Sequence, residues 1–319
     1  MSPRFLLRAL PPLLFAGLMV LWASPPAAAA DGPVGYEISV AQIEAGRLRH
    51  LAERLAKQNT LFQLRLGSVR KEDLARTATR IDRVIETLEN GSPGYSVPAP
   101  WTRTIRDQLE KVDHSWAPMR SIATASQVDY LRRGQQFRSR EAQRSDPLMI
   151  HYFDGLASDL VGASEELMRI YGAECNTSTT ASPELCITAS ISGYSAMLSE
   201  RATKEAVYIV AGIDPPLHRK RLAETMVDYD KTRQAINEMP FFASALAPER
   251  GESAVFARNL LESVRSDWDA MAREFRILNA GDAGDFDLNG LLDLHDRMVG
   301  RIERFTAAMV RYANIAYGA

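Results

Sequence analysis

The stretch GYSAMLSERATKEAVYIVAGID, residues 193–214, decides how this chain is read. Its apolar residues recur at helical spacing, yet Ser195, Ser199, Glu200, Arg201 and Lys204 are interleaved with them. An earlier stretch, GRLRHLAERLAKQNTLFQLRLG (46–67), carries the same mixture in the same frame. Gly46, Leu51, Glu53, Arg54 and Lys57 match Gly193, Leu198, Glu200, Arg201 and Lys204 at one constant offset. Further on, Leu109, Glu110, Val112, Trp116 and Met119 match Leu261, Glu262, Val264, Trp268 and Met271, again at one offset. Two paired blocks in the same order form an internal repeat.

Outward from these blocks the chain reads as helix throughout. Val40, Ile43, Leu48, Leu51, Leu55 and Phe62 form one apolar stripe, and Leu74, Ile81, Val84, Ile85 and Leu88 a second. Ile105, Leu109, Val112, Trp116 and Met119 step by four and three, the spacing of a bundle seam. A helix from about Asp146 to Gly172 is expected to turn Tyr152, Leu156, Leu160, Leu167 and Ile170 inward. Ile187–Gly212 and Leu217–Glu238 are expected as the next helices. Leu261 to Leu278 and Leu291 to Met309 mark the last two stripes. Val207-Tyr208-Ile209-Val210 is β-prone but sits in a helical frame. The fold class is therefore all-α: two tandem antiparallel four-helix-bundle units, over 31–173 and 187–319, with 174–186 as the joint.

Cys175 and Cys186 are the two cysteines, and they bracket the polar stretch NTSTTASPEL, which reads as a loop. Close spacing in an exported chain favours a disulfide that makes 174–186 a closed linker. Export is read from the N-terminus. Arg4 and Arg8 precede an apolar run interrupted by Pro11 and Pro12, and Ala27–Ala30 offer a cleavage site. Residues 1–30 read as a secretory signal peptide, with a retained signal anchor as the alternative. No later stretch is apolar enough to span a membrane, so a periplasmic protein is expected.

Of the residues, 46% are apolar and 24% charged, with a formal net charge of −2, so no basic field invites nucleic acid. No nucleophile elbow, zinc-protease or phosphate-loop motif occurs, and the reading is of a non-enzyme without a cofactor. His50, His114, His151, His218 and His295 are scattered and read as bundle-face residues rather than metal ligands. In DFDLNGLLDLHD (285–296), Asp285, Asp287, Asn289, Asp293 and Asp296 fall at calcium-loop positions. Leu288, the short final Asp296 and the missing incoming helix favour a simpler reading, in which Asp287 or Asn289 caps the last helix.

At the repeated block the sequence resembles the N-terminal sensor domain of type IV pilus methyl-accepting chemotaxis transducers, the PilJ-type domain. It is also similar to the sensor domain of NarX-type nitrate/nitrite kinases. Both families open a helical bundle with a motif near G-x-x-R-M-L-S-x-R-x-x-K. Gly193, Met197, Leu198, Ser199, Arg201 and Lys204 fit it, and so do Gly46, Arg49, Leu51, Arg54 and Lys57. The resemblance implies a sensory module in which the first arginine of the motif meets a small anion such as nitrate or nitrite between two copies of this helix. Here that arginine is Arg49, and its counterpart is Ala196. The implied site draws on Gly46, Arg49, Arg54, Gly193, Ser199 and Arg201, with the two copies packed as a pseudo-dimer.

A second reading needs no ligand. Arg49, Glu53 and Lys57, and Glu200 and Lys204, stand four apart and would pair along exposed faces. Arg54 and Arg201 would tie the first helix to a carboxylate on a neighbour. On that reading the chain is a structural or adaptor bundle that binds an envelope, pilus or chemotaxis partner. On either reading no kinase or methyl-accepting coiled-coil pattern is seen, so a signal is expected to pass through a partner protein.

Overall fold

The computed structural model describes residues 33–125, 147–178, 183–281 and 286–317. The leader at 1–30 and Asp285 lie outside them. The described residues are helical, with no strand named among them beyond an isolated Ser92–Val97 bridge. The helices are α1 (Gly35–Leu64), α2 (Lys71–Asn90), α3 (Arg103–Thr124), α4 (Pro147–Thr177), α5 (Pro183–Val210), α6 (Pro215–Glu238), the short α7 (Pro240–Ala245), α8 (Glu252–Ala280) and α9 (Leu288–Tyr317). Val207–Val210 is helical within α5, because its register keeps Val207 and Tyr208 fully buried.

Helix ends follow the local chemistry. Thr102 accepts the Ile105 N–H to open α3, and Asp214 accepts the Leu217 N–H ahead of Pro215 to open α6. Asp287 accepts the Gly290 N–H at 3.0 Å at the start of α9. Gly281 ends α8 at φ 97°, a conformation a side chain would strain.

In the first half α1 packs on α2 and α4, α2 on α3, and α3 on α4. In the second half α5 packs on α6 and α9, α6 on α8, and α8 on α9. The buried apolar residues cluster accordingly. One core holds Leu48, Leu55, Ile81, Val112, Trp116 and Phe153; another holds Leu198, Leu222, Val264, Trp268 and Met298. The seams expected on α2, α3 and α8 are buried throughout. The seam expected on α4 needs correction. Tyr152 is 49% exposed, and the inward line runs through Phe153, Ala157, Leu160, Ser164, Leu167 and Tyr171, whose steps of four and three hold one helix face against α1 and α3.

α1 also packs extensively on α5, and the described residues cluster as one compact unit. Cys175 and Cys186 form a disulfide. Both cysteines sit inside helices rather than in a loop, since α4 runs on to Thr177 and α5 begins at Pro183. Among the described residues no helix is long and apolar enough to cross a membrane.

Candidate functional site

The site grows from the crossing of α1 and α5. Gly46 and Gly193 meet there. A Cβ on Gly193 would lie 3.3 Å from the Gly46 Cα, and one on Gly46 would lie 3.5 Å from the Gly193 Cα. At Gly193 a side chain would press on the facing backbone, so glycine there keeps the close approach open. About two to three turns further along each helix stands the same triplet, Glu-Arg-x-x-Lys, and the triplets pair across the crossing. Arg54 Nε donates to Glu200 Oε1 at 2.7 Å, and Lys57 Nζ lies 2.9 Å from Glu200 Oε2. Reciprocally, Arg201 Nε donates to Glu53 Oε1 at 2.8 Å, and Lys204 Nζ lies 2.7 Å from Glu53 Oε2.

This geometry corrects one expectation. The charged residues of the repeated block do not pair along an exposed face. Glu53, Lys57, Glu200 and Lys204 are buried, and their partners come from the facing helix, because the glycine crossing brings the carboxylates of one helix within 2.7–2.9 Å of the cations of the other and shuts water out. Arg54 and Arg201 do tie their helix to a carboxylate on a neighbour. Two outer groups complete the layer: Asp154 on α4 pairs with Lys204, and His295 on α9 takes Lys57 at 3.0 Å. A lysine ammonium only donates, so His295 Nδ1 accepts and Nε2 carries the hydrogen, facing Glu200 Oε2 at 3.4 Å.

The electrostatics follow from burial set against partners. Burial pushes the Glu200 carboxyl up, but His295, Lys57 and Arg54 together hold it well below the usual carboxylate range. Burial works against the Lys204 ammonium, yet Glu53 and Asp154 raise it well above an ordinary lysine. Burial lowers His295 and His50, which keeps both neutral near pH 7. His50, His218 and His295 are fully enclosed, facing Glu303, Glu205 and Glu200. They are not bundle-face residues, because the polar layer runs through the interior.

Arg49 differs from these cations. It is 3% exposed, and its Nε and Nη2 are buried without a hydrogen-bond partner. Its guanidinium lies 5.4 Å from the centre of the Tyr194 ring, and a Cβ on Gly193 would come within 3.6 Å of Nη2. Burial pulls its pKa down to about 10, against the opposing field of Glu165. It lines a cleft of ≈ 570 Å³ between α1, α4 and the start of α5. Two further clefts, of ≈ 710 and ≈ 490 Å³, flank the ion layer beside Arg54 and Lys57 and beside Arg201 and Lys204. Arg54, Lys57, Arg201 and Lys204 already hold carboxylates.

Of the other residues singled out in the sequence, Ser199 is buried and donates to the Ala196 carbonyl of its own helix. Asp293 and Asp296 lie within α9, as does Asn289 in its first turn, while Asp287 caps that helix. These residues therefore take helical positions rather than a calcium loop. No group of three or more His, Cys, Asp or Glu residues among the described residues is arranged to hold a metal ion. Gln42, Tyr194, Asp154 and His295 were missed as site residues. Gln42 had a signal, since it stands seven residues before Arg49 on the same helix face.

Residues 41–137 match the PilJ family, described as the N-terminal region of type IV pili methyl-accepting chemotaxis transducers. The match supports a PilJ-type sensory helical domain over less than a third of the chain, including α1 with Arg49, Arg54 and Lys57. Such domains are sensory rather than catalytic. No curated protein and no solved structure matches the chain.

Proposed function

We propose that this chain is a sensory helical module of two tandem PilJ-type bundles, over 31–173 and 187–319, that receives a small oxyanion at Arg49. The carrying observation is the buried Arg49 guanidinium, with Nε and Nη2 unpartnered, at the wall of a cleft. A buried cation without a partner costs several kcal/mol, and an anion seated on it recovers much of that cost. The planar fork of arginine suits nitrate, nitrite or a carboxylate. The tandem reading is supported by the reciprocal pairing of α1 with α5. It is supported too by Trp116 on Asp82 and Trp268 on Asp230, the same bond between third and second helices in each half. In this reading one chain supplies the crossing that relatives build from two, with Ala196 leaving a single arginine. The leader at 1–30 directs it to the periplasm, where the disulfide joins the bundles and a membrane signalling partner reads the bound state.

The test is thermal unfolding with millimolar nitrate, nitrite or chloride. At about a hundred times its dissociation constant a ligand stabilises by roughly 2.7 kcal/mol, several degrees for a chain of this size. A nitrate- or nitrite-specific rise that disappears in Arg49→Ala supports the reading. No rise with either anion would remove these two as ligands and favour the adaptor bundle.

A further inference from the structure

The cleft at Arg49 holds a second buried group in want of a partner. Gln42 is 3% exposed, lines the same cleft, and its Oε1 is buried without a hydrogen bond. Gln42, Gly46 and Arg49 stand at i, i+4 and i+7 on one face of α1. The acceptor and the donors are thus about two helical turns apart, roughly 10 Å along the axis. Each is costly to leave unpaired in the interior. A bare oxyanion reaches only Arg49. It leaves Gln42 orphaned and most of a ≈ 570 Å³ space filled by water.

Two carboxylates also line the cleft. Glu165 lines it and acts on Arg49 through its field. Glu166 lines it as well but is engaged by Arg169 at 2.7 Å. The floor therefore presents donors at one end, beside the Glu165 carboxylate at the rim, and an acceptor at the other. A ligand with two anionic ends would set one of them against Gln42 Oε1.

Resting on the reading of Arg49 as an anion ligand, we infer that the natural ligand is a small zwitterion of amino-acid or dipeptide type. Its carboxylate sits on Arg49, and its ammonium or amide N–H donates to Gln42 Oε1. The glycine at 172, whose Cβ would lie 3.2 Å from Gln42 Nε2, leaves the amide room to present its oxygen.

Isothermal titration of the full chain tests this with four probes at millimolar concentration: nitrate, succinate, glycylglycine, and a mixture of the twenty common α-amino acids. Glycylglycine or the amino-acid mixture is expected to bind at least tenfold more tightly than nitrate or succinate. Gln42→Met keeps the shape and removes the acceptor. It should weaken the zwitterion at least tenfold and leave nitrate unchanged, with circular dichroism confirming the helical fold. Arg49→Lys keeps the charge without the fork and should weaken every probe. Nitrate binding as tightly as the zwitterions, or zwitterion binding indifferent to Gln42→Met, overturns this inference and leaves the anion site standing. Succinate as the preferred probe overturns it also. No binding of any probe overturns both.

Discussion

Glu200 and Glu53 occupy corresponding places in the two halves, yet removing their charge should have unequal consequences. Glu200→Gln strips the counter-charge from Arg54 and Lys57 together. Lys57 is 4% exposed and its remaining partner is the neutral His295, so its ammonium stays uncompensated. Breaking a buried pair in this way costs about 3–5 kcal/mol. Glu53→Gln is milder. Lys204 keeps Asp154, and the Arg201 side chain, 35% exposed, reaches water. A loss of about 1–2 kcal/mol follows from the forfeited charged hydrogen bonds. Urea unfolding of both variants at pH 7, followed by circular dichroism with the slopes compared, measures the two losses. The same pair is separable by acid. The Glu200 carboxyl is held far below its unfolded value, so its contribution is fully present above the unfolded pKa of about 4.3 and drains away as pH falls below it. Glu200→Gln should flatten that acid limb. Equal losses for the two variants, or an acid limb unchanged in Glu200→Gln, would refute the reasoning.

Gly193→Ala presses a methyl on the Gly46 backbone, which cannot yield, whereas Gly46→Ala meets the flexible Met168 Sδ at 3.3 Å. Chemical denaturation should find Gly193→Ala destabilised by about 1–3 kcal/mol and Gly46→Ala close to neutral, helix propensity offsetting part of each. Removing the disulfide as the Cys175→Ala, Cys186→Ala double variant opens a loop of sequence separation 11. In the chain-entropy model that costs about 3 kcal/mol, visible as a lowered Tm that no longer responds to reductant. Asp82→Ala and Asp230→Ala each leave a buried indole N–H without its acceptor, and each should lose about 1–3 kcal/mol in urea titrations followed by tryptophan fluorescence. A large loss for one and none for the other would contradict the correspondence of the two halves.

Much of the fold could be read from the chain. Apolar steps of three and four fix which residues face inward on α2, α3 and α8, because a helix turns by the same angle per residue wherever it lies. On α4 that rule allowed two neighbouring lines. Tyr152 and Phe153 suit it equally, and only the presence of α1 and α3 on one side turns Phe153 inward. The disulfide followed from spacing and compartment, but not that both cysteines extend their helices.

The candidate site divides along the same line. The sequence alone determined that Glu53, Arg54 and Lys57 recur as Glu200, Arg201 and Lys204, and that Gly46 recurs as Gly193, since repeats are properties of order. It could not determine whether those charges face water or one another. Within one helix Glu53 and Lys57 are the nearest opposite charges, and the local rule pairs them. The tertiary structure decided otherwise. Two glycines let α1 and α5 touch, and in that buried crossing each carboxylate meets two cations from the facing helix. The same crossing leaves Arg49 without a carboxylate, because a charge is paired only by what the fold brings within reach.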